Sequence, residues 1–163
     1  MISLITLTAC GFQMRGAFKF PASISQLYFS PYQAQDPLQQ NIRRWLQAQQ
    51  IRLQAFQPEF KQDLAFIPHL EILEKNFEEK SLAINAQGQN LRSLLELNIK
   101  YKLSYKKTSF ENKISLAREF TQQPNAILVN NTEKTSIENQ LWQDAATQLL
   151  NQIGIYLSSD HAD

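Results

Sequence analysis

Between residues 91 and 106 apolar and polar side chains alternate. Leu91, Leu95, Leu97, Ile99, Tyr101, Leu103 and Tyr105 hold odd positions, while Arg92, Glu96, Asn98, Lys100, Lys102, Ser104 and Lys106 hold even ones. A period of two over this length specifies a long strand with one buried and one open face. Phe110, Ile114, Leu116 and Phe120 then alternate with Glu111, Lys113, Ser115 and Glu119, so a partner strand follows. Lys107-Thr108 and its neighbours form the turn between them, without a Gly or Asn-Gly signal. Pro124 ends the second strand.

The flanking segments supply helices. Ile24 to Tyr32 reads as a first strand closed by Pro31. Asp36 can cap a helix, Pro37 suits its first position and Gln39 completes a capping-box pattern. Leu38, Ile42, Trp45 and Leu46 then share one face, with Arg43, Arg44 and glutamines on the other. Ile51 to Phe56 reads as a second strand, and residues 64–72 as a third with Pro68 inside it, hence an edge strand or a bulge. Residues 74–90 fit a hairpin or a longer loop around Gly88. Thr135-Ser136-Ile137-Glu138 is a second capping box, followed by Ile137, Leu141, Ala145, Leu149 and Ile153 in steps of four, with Gly154 and the tail from Ser158 ending the helix. The expectation is an α+β two-layer sandwich. Two helices pack on one face of a mixed, mostly antiparallel sheet of four or five strands, and the opposite face needs water or a partner as its second layer.

Composition narrows the function. The chain has 163 residues, of which 43% are hydrophobic, enough for one domain with a real core. A net charge of +1 argues against broad nucleic-acid binding. One cysteine excludes an internal disulfide framework and a multi-cysteine metal site, and two histidines leave little for a zinc site or a triad. No Gly-x-Ser-x-Gly, phosphate loop or metal-ligand spacing accompanies His69 or His161, so no enzyme, cofactor or metal is expected.

The cysteine sits at position 10, behind an uncharged run of apolar and small residues, 1–9. Leu7-Thr8-Ala9-Cys10 resembles a bacterial lipobox, the signal for acylation of the cysteine and cleavage before it. The run lacks a positive n-region, so residues 1–9 are expected to be the remnant of a longer signal peptide. The expected organisation is that remnant, a lipidated tether over 10–23, a single α+β domain over 24–158 and a flexible tail over 159–163. One acyl chain anchors only marginally, whereas the several chains of a lipoprotein anchor stably. Gly11 after the cysteine is compatible with outer-membrane sorting.

Beyond the lipobox, the chain resembles the LPS-assembly lipoprotein family LptE. The similarity lies in Cys10-Gly11-Phe12 with Arg15 shortly after, Pro21 before Leu27-Tyr28, the helix from Leu38 to Leu46, Phe120 with Pro124 and Leu128, and the run Trp142 to Leu150. The resemblance implies an outer-membrane lipoprotein facing the periplasm or the barrel lumen. It would plug the large β-barrel LptD at 1:1, help it assemble, and bind lipopolysaccharide on its way to the outer leaflet. A globule of this length has a radius of gyration of about 15 Å, so only a barrel of more than about 20 strands could enclose it. An accessory lipoprotein of another periplasmic lipid-transport system is the alternative.

Lipopolysaccharide carries phosphates on a lipid body, so a binder needs cations beside apolar surface. Arg92, Lys100, Lys102 and Lys106 on the even face are the candidates, Arg92 first because it stands nearest the Gly88 loop. The competing reading is a solvated strand face with ordinary lysines. Lys113 and Arg118 fall on opposite faces of the next strand. In the family a basic residue often precedes the loop glycine and a Lys often precedes the last helix. Here those stretches are Asn85-Ala86-Gln87-Gly88 and Asn130-Asn131. Arg15, Phe120 and Pro124 are candidate partner contacts, with solvent exposure the other reading for Arg15 and core packing for Phe120. Trp45 and Trp142 read as core or core-rim residues.

Overall fold

The computed structural model describes residues 19–106, 108–123 and 126–159. In chain order the elements are β1 (Gln26–Ser30), α1 (Pro37–Ala48), β2 (Arg52–Ala55), a 3₁₀ helix (Pro58–Ala65), β3 (His69–Ile84), β4 (Asn90–Tyr105), β5 (Thr108–Thr121) and α2 (Ile127–Ser159). The strands form one five-stranded mixed sheet in the order β2-β1-β3-β4-β5. β1 runs parallel to β2 and β3, while β3–β4 and β4–β5 are antiparallel. This is the expected α+β sandwich, with five strands.

The alternation in β4 becomes a two-sided surface. Leu95, Leu97, Ile99, Tyr101 and Leu103 are wholly buried, facing the helices. Each such side chain contributes roughly 1.5–3 kcal/mol of burial. They meet Leu38, Ile42 and Leu46 of α1 and Leu141, Ala145, Leu149 and Ile153 of α2 in one core. Trp45 and Trp142 lie partly buried at its rim. Phe20, in the segment read as tether, is buried and meets Trp45 edge-on at 5.6 Å.

Four local readings are corrected. Residues 64–68 are not strand: Pro58 starts a 3₁₀ helix and the strand begins at His69, with only the Pro68 carbonyl reaching the Tyr28 amide at 2.9 Å. Residues 74–84 are strand, not loop, because β4 pairs with them almost residue for residue. The hairpin is confined to Asn85–Gln89, where Gly88 takes φ 77° and Asn85 Oδ1 accepts from the Gln87 and Gln89 amides. The box at 135–138 lies inside α2, which starts at Ile127. The Asn130 amide side chain both donates to and accepts from the Gln123 backbone and so closes the earlier start. Gly154 does not end α2 either, since it sits on the buried face and Leu157 continues the packed stripe to Ser159.

The cap of α1 is half of the expected box. Asp36 Oδ1 accepts from the Gln39 amide at 3.0 Å. The Asp36 amide is already donated to the Gln33 carbonyl, so the buried Gln39 side chain instead accepts from the Gln33 amide at 2.7 Å.

The face away from the helices is covered in one corner by the chain itself. Tyr28 stacks on Phe60 at 5.2 Å and Phe56 stacks on His69 at 3.9 Å. His69 is buried there, bonded to Ser30 Oγ at 2.7 Å, and desolvation lowers its pKa. The rest of that face, along β3, β4 and β5, has no second layer among the described residues.

Candidate functional site

The even-numbered residues of β4 point to the open face, as does Glu111, Lys113 and Glu119 on β5. The structure does not bring the four candidate cations together. Arg92 and Lys106 stand at opposite ends of β4, roughly 45 Å apart along the strand. Lys106 has φ 54° in the β4–β5 turn and lies over the Tyr105 ring at 5.4 Å. Lys100 has Glu74 across on β3 and Lys113 across on β5. Lys102 lies between Glu71 and Glu111, 4.0 Å from the latter's carboxylate. Lys80 pairs with Glu96, and Arg92 with Glu119. This stripe is a ladder of alternating charge more than a basic patch.

Arg92 belongs to a different setting from the other three. It stands at the end of the molecule where the β3–β4 hairpin, the close of β5 and the first turns of α2 converge. There a cleft of about 230 Å³ is lined by Glu79, Phe120, Gln122, Asn130, Asn131 and Lys134, with Ile127 beside it. Lys134 on α2 reaches Glu79 on β3 at 2.5 Å. That bond holds the Glu79 carboxyl below its usual pKa and raises that of Lys134. Gln122 Nε2 donates to Ser93 Oγ at 3.3 Å, tying the end of β5 to β4. Around this cleft Ile127, Leu128 and Val129 are 72%, 82% and 57% exposed, and Leu82 and Ile84 of β3 are also open. Arg92 and Lys134 thus mark opposite sheet faces of one end that also presents bare aliphatic side chains.

Sequence reading passed over Lys134. Placing the helix start at Thr135 left it in a linker, whereas it lies in the second turn of α2. The Asn130 that looked like a missing cation is the residue that closes that helix start. Phe120 is 3% exposed, as core packing would have it, and lines the floor of the cleft. Cys10, Arg15 and Pro124 lie outside the described residues. No group of three or more metal-ligating side chains occurs among the described residues, and no described helix is long and apolar enough to cross a membrane.

Cations beside exposed aliphatics form a surface suited to an anionic amphiphile. Comparison with known proteins supplies a family. The chain is 21% identical over 153 residues to the LPS-assembly lipoprotein LptE of Pectobacterium atrosepticum, covering 93% of this chain and 80% of that protein. Its fold is similar to rare lipoprotein B from Shewanella oneidensis, with TM-score 0.68, 16% identity, and 83% and 99% of the two chains covered. Lipoprotein B from Nitrosomonas europaea is similar at TM-score 0.67 and 17% identity, over 91% of this chain and 93% of that one. The minor lipoprotein from Acinetobacter baumannii follows at TM-score 0.60 and 16% identity, over 81% and 92%. With residues 24–153 matching that family's own sequence pattern, the chain belongs to the LptE family of lipopolysaccharide-assembly proteins.

Proposed function

We propose that this protein is an outer-membrane lipoprotein that plugs and helps assemble an LptD-type β-barrel and takes part in delivering lipopolysaccharide to the outer leaflet. The observation that carries this reading is the family match over residues 24–153, which takes in all five strands, α1 and most of α2. In this reading Cys10 carries the lipid, residues 10–23 form the tether, and residues 24–158 form the single folded domain. Arg15 and Pro124 are the partner contacts.

Lipopolysaccharide engages the end bearing Arg92 and Lys134, where exposed Ile127 and Leu128 offer acyl chains a surface. Lys100, Lys102 and Lys106 contribute at longer range. Arg92 and Lys134 are themselves paired, with Glu119 and Glu79, and exposed paired cations add little on their own, so what favours their end over the rest of the stripe is the adjoining aliphatic surface.

The test is purification from outer membranes. One large β-barrel should copurify at equal stoichiometry. Recovery of the chain alone, or with an inner-membrane transporter, would sink the plug reading. Arg92→Glu with Lys134→Glu should weaken binding to purified lipopolysaccharide about tenfold or more, while Lys100→Glu with Lys102→Glu should do less. Equal losses in the two folded variants would return the binding surface to the whole β4 stripe. Cys10→Ala should abolish acylation by mass spectrometry.

A further inference from the structure

The two edges of the sheet are unequal. β2 has four residues and β5 has 14. Among the described residues no strand lies outside β5. The β4–β5 register runs unshifted from Arg92 with Thr121 to Tyr105 with Thr108, whereas β3–β4 shifts at three places. β5 contains neither a proline nor a bulge; its guards against edge pairing are its charged side chains, Lys113 among them, and the Asn112 Oδ1, which accepts the outward Lys113 amide at 2.8 Å. The Gln122 amide donates to the Leu91 carbonyl at 2.8 Å. Bonding alternates residue by residue in an antiparallel ladder. Even-numbered residues of β5 therefore turn their backbone groups to β4, and odd-numbered ones, Ser109 to Thr121, turn theirs outward. The same odd residues carry their side chains on the open face.

Charge selects what fits there. Lys113 stands directly across from Lys100, and both are exposed. Like charges directly opposite one another destabilise an antiparallel pair. An acidic residue on the vacant side of Lys113 would offset that repulsion. Glu119 lies six residues further along the same strand, on the same face, with its backbone also turned outward.

We propose that β5 pairs antiparallel with β5 of a second copy, about a two-fold axis at Leu116, so that Lys113 of each copy faces Glu119 of the other. The register is internally consistent. Outward backbone groups meet outward ones, with the Asn112 side chain giving up the Lys113 amide on pairing; Ser115 faces Ala117, and Leu116 meets its own copy at a non-hydrogen-bonded position. Slipping by one pair in either direction sets Glu111 against Glu119, or Lys113 against Thr121. The other register with opposed charges, Glu111 against Lys113, overlaps only residues 108–116, against 111–121 here. Glu119 already binds Arg92 in its own chain, and its two oxygens can accept both cations. The inference concerns the free chain and does not rest on the barrel reading.

Sedimentation velocity of the full chain in detergent, over a concentration series, tests it. Wild type should show a monomer–dimer equilibrium. Lys113→Glu and Glu119→Lys each set like charges opposite at two symmetry-related positions, and each should raise the dimer dissociation constant about tenfold or more. The double variant K113E/E119K reinstates both intermolecular pairs and should recover most of the loss. Circular dichroism melts confirm that all four chains fold. A wild type that stays monomeric, single variants that dimerise as wild type does, or a double variant no better than the singles would overturn the proposal. So would a monomer whose β5 amides gain protection from hydrogen exchange only on binding a barrel, which would assign the edge to a foreign strand.

Discussion

The two faces of β4 share one backbone and behave as different materials. On the covered face Leu95, Leu97, Ile99, Tyr101 and Leu103 are wholly buried against both helices. On the open face Lys100 stands across from Glu74, Lys102 lies between Glu71 and Glu111, Glu96 binds Lys80 and Arg92 binds Glu119. Even the ion pairs differ between faces. Asp36–Lys75 and Glu79–Lys134 lie on the helix side and tie separate elements together, with the Lys75 ammonium desolvated enough to lower its pKa. Arg92–Glu119 lies on the open side with both side chains about half exposed, 51% and 55%. Stability therefore resides on one face, and the other is left available for recognition.

The sharpest way to break this contrast is to truncate one residue on each face. Leu97→Ala should cost about 2–5 kcal/mol, because a wholly buried leucine leaves a cavity. Lys100→Ala should stay within about 0.5 kcal/mol. Equal losses in denaturant melts would mean the open face carries hidden packing. Asp36→Ala should come next, at about 1–2 kcal/mol, since it removes both the cap on the Gln39 amide and the partner of Lys75. Glu79→Gln should cost less, about 1 kcal/mol at most, and its effect should depend on pH. The folded-state pKa of Glu79 is depressed by its bond to Lys134, so the pair's contribution is present above the ordinary carboxylate pKa. It is lost as pH falls through the lowered folded value. The melting temperatures of wild type and Glu79→Gln should thus differ at pH 7 and converge in acid. Glu119→Gln, on the open face, should cost less than Glu79→Gln at pH 7, because both partners of its ion pair are about half exposed.

Legibility in the sequence followed the same divide. β4 was readable because one of its faces is packed along its whole length and every second residue records that. β3 was not readable beyond Ile72. Its covered-face residues there are Lys75, Phe77, Glu79 and Ser81, so polar groups replace the alternation, and the strand exists because β4 pairs with it. The first turns of α2 were missed for a related reason. Residues 127–136 have no apolar stripe, with Ile127, Leu128 and Val129 facing outward. Arg92 was found as a candidate cation because strand periodicity placed it at the hairpin end. Lys134 was not, because its role depends on Glu79, 55 residues away in sequence.

The sequence alone determined the two-layer architecture, the amphipathic helices, the central strand pair and the family. Each of these rests on local periodicity or on motif order along the chain. Only the tertiary structure decided the five-strand order with β1 between β2 and β3, the length of β3 and α2, and the site where Glu79, Lys134 and Gln122 meet. It also showed that charges of both signs are interleaved on the open face, and that among the described residues no strand covers the β5 edge. Those features depend on which residues face one another across strands and layers, and pairing between distant segments leaves no periodic mark on either segment by itself.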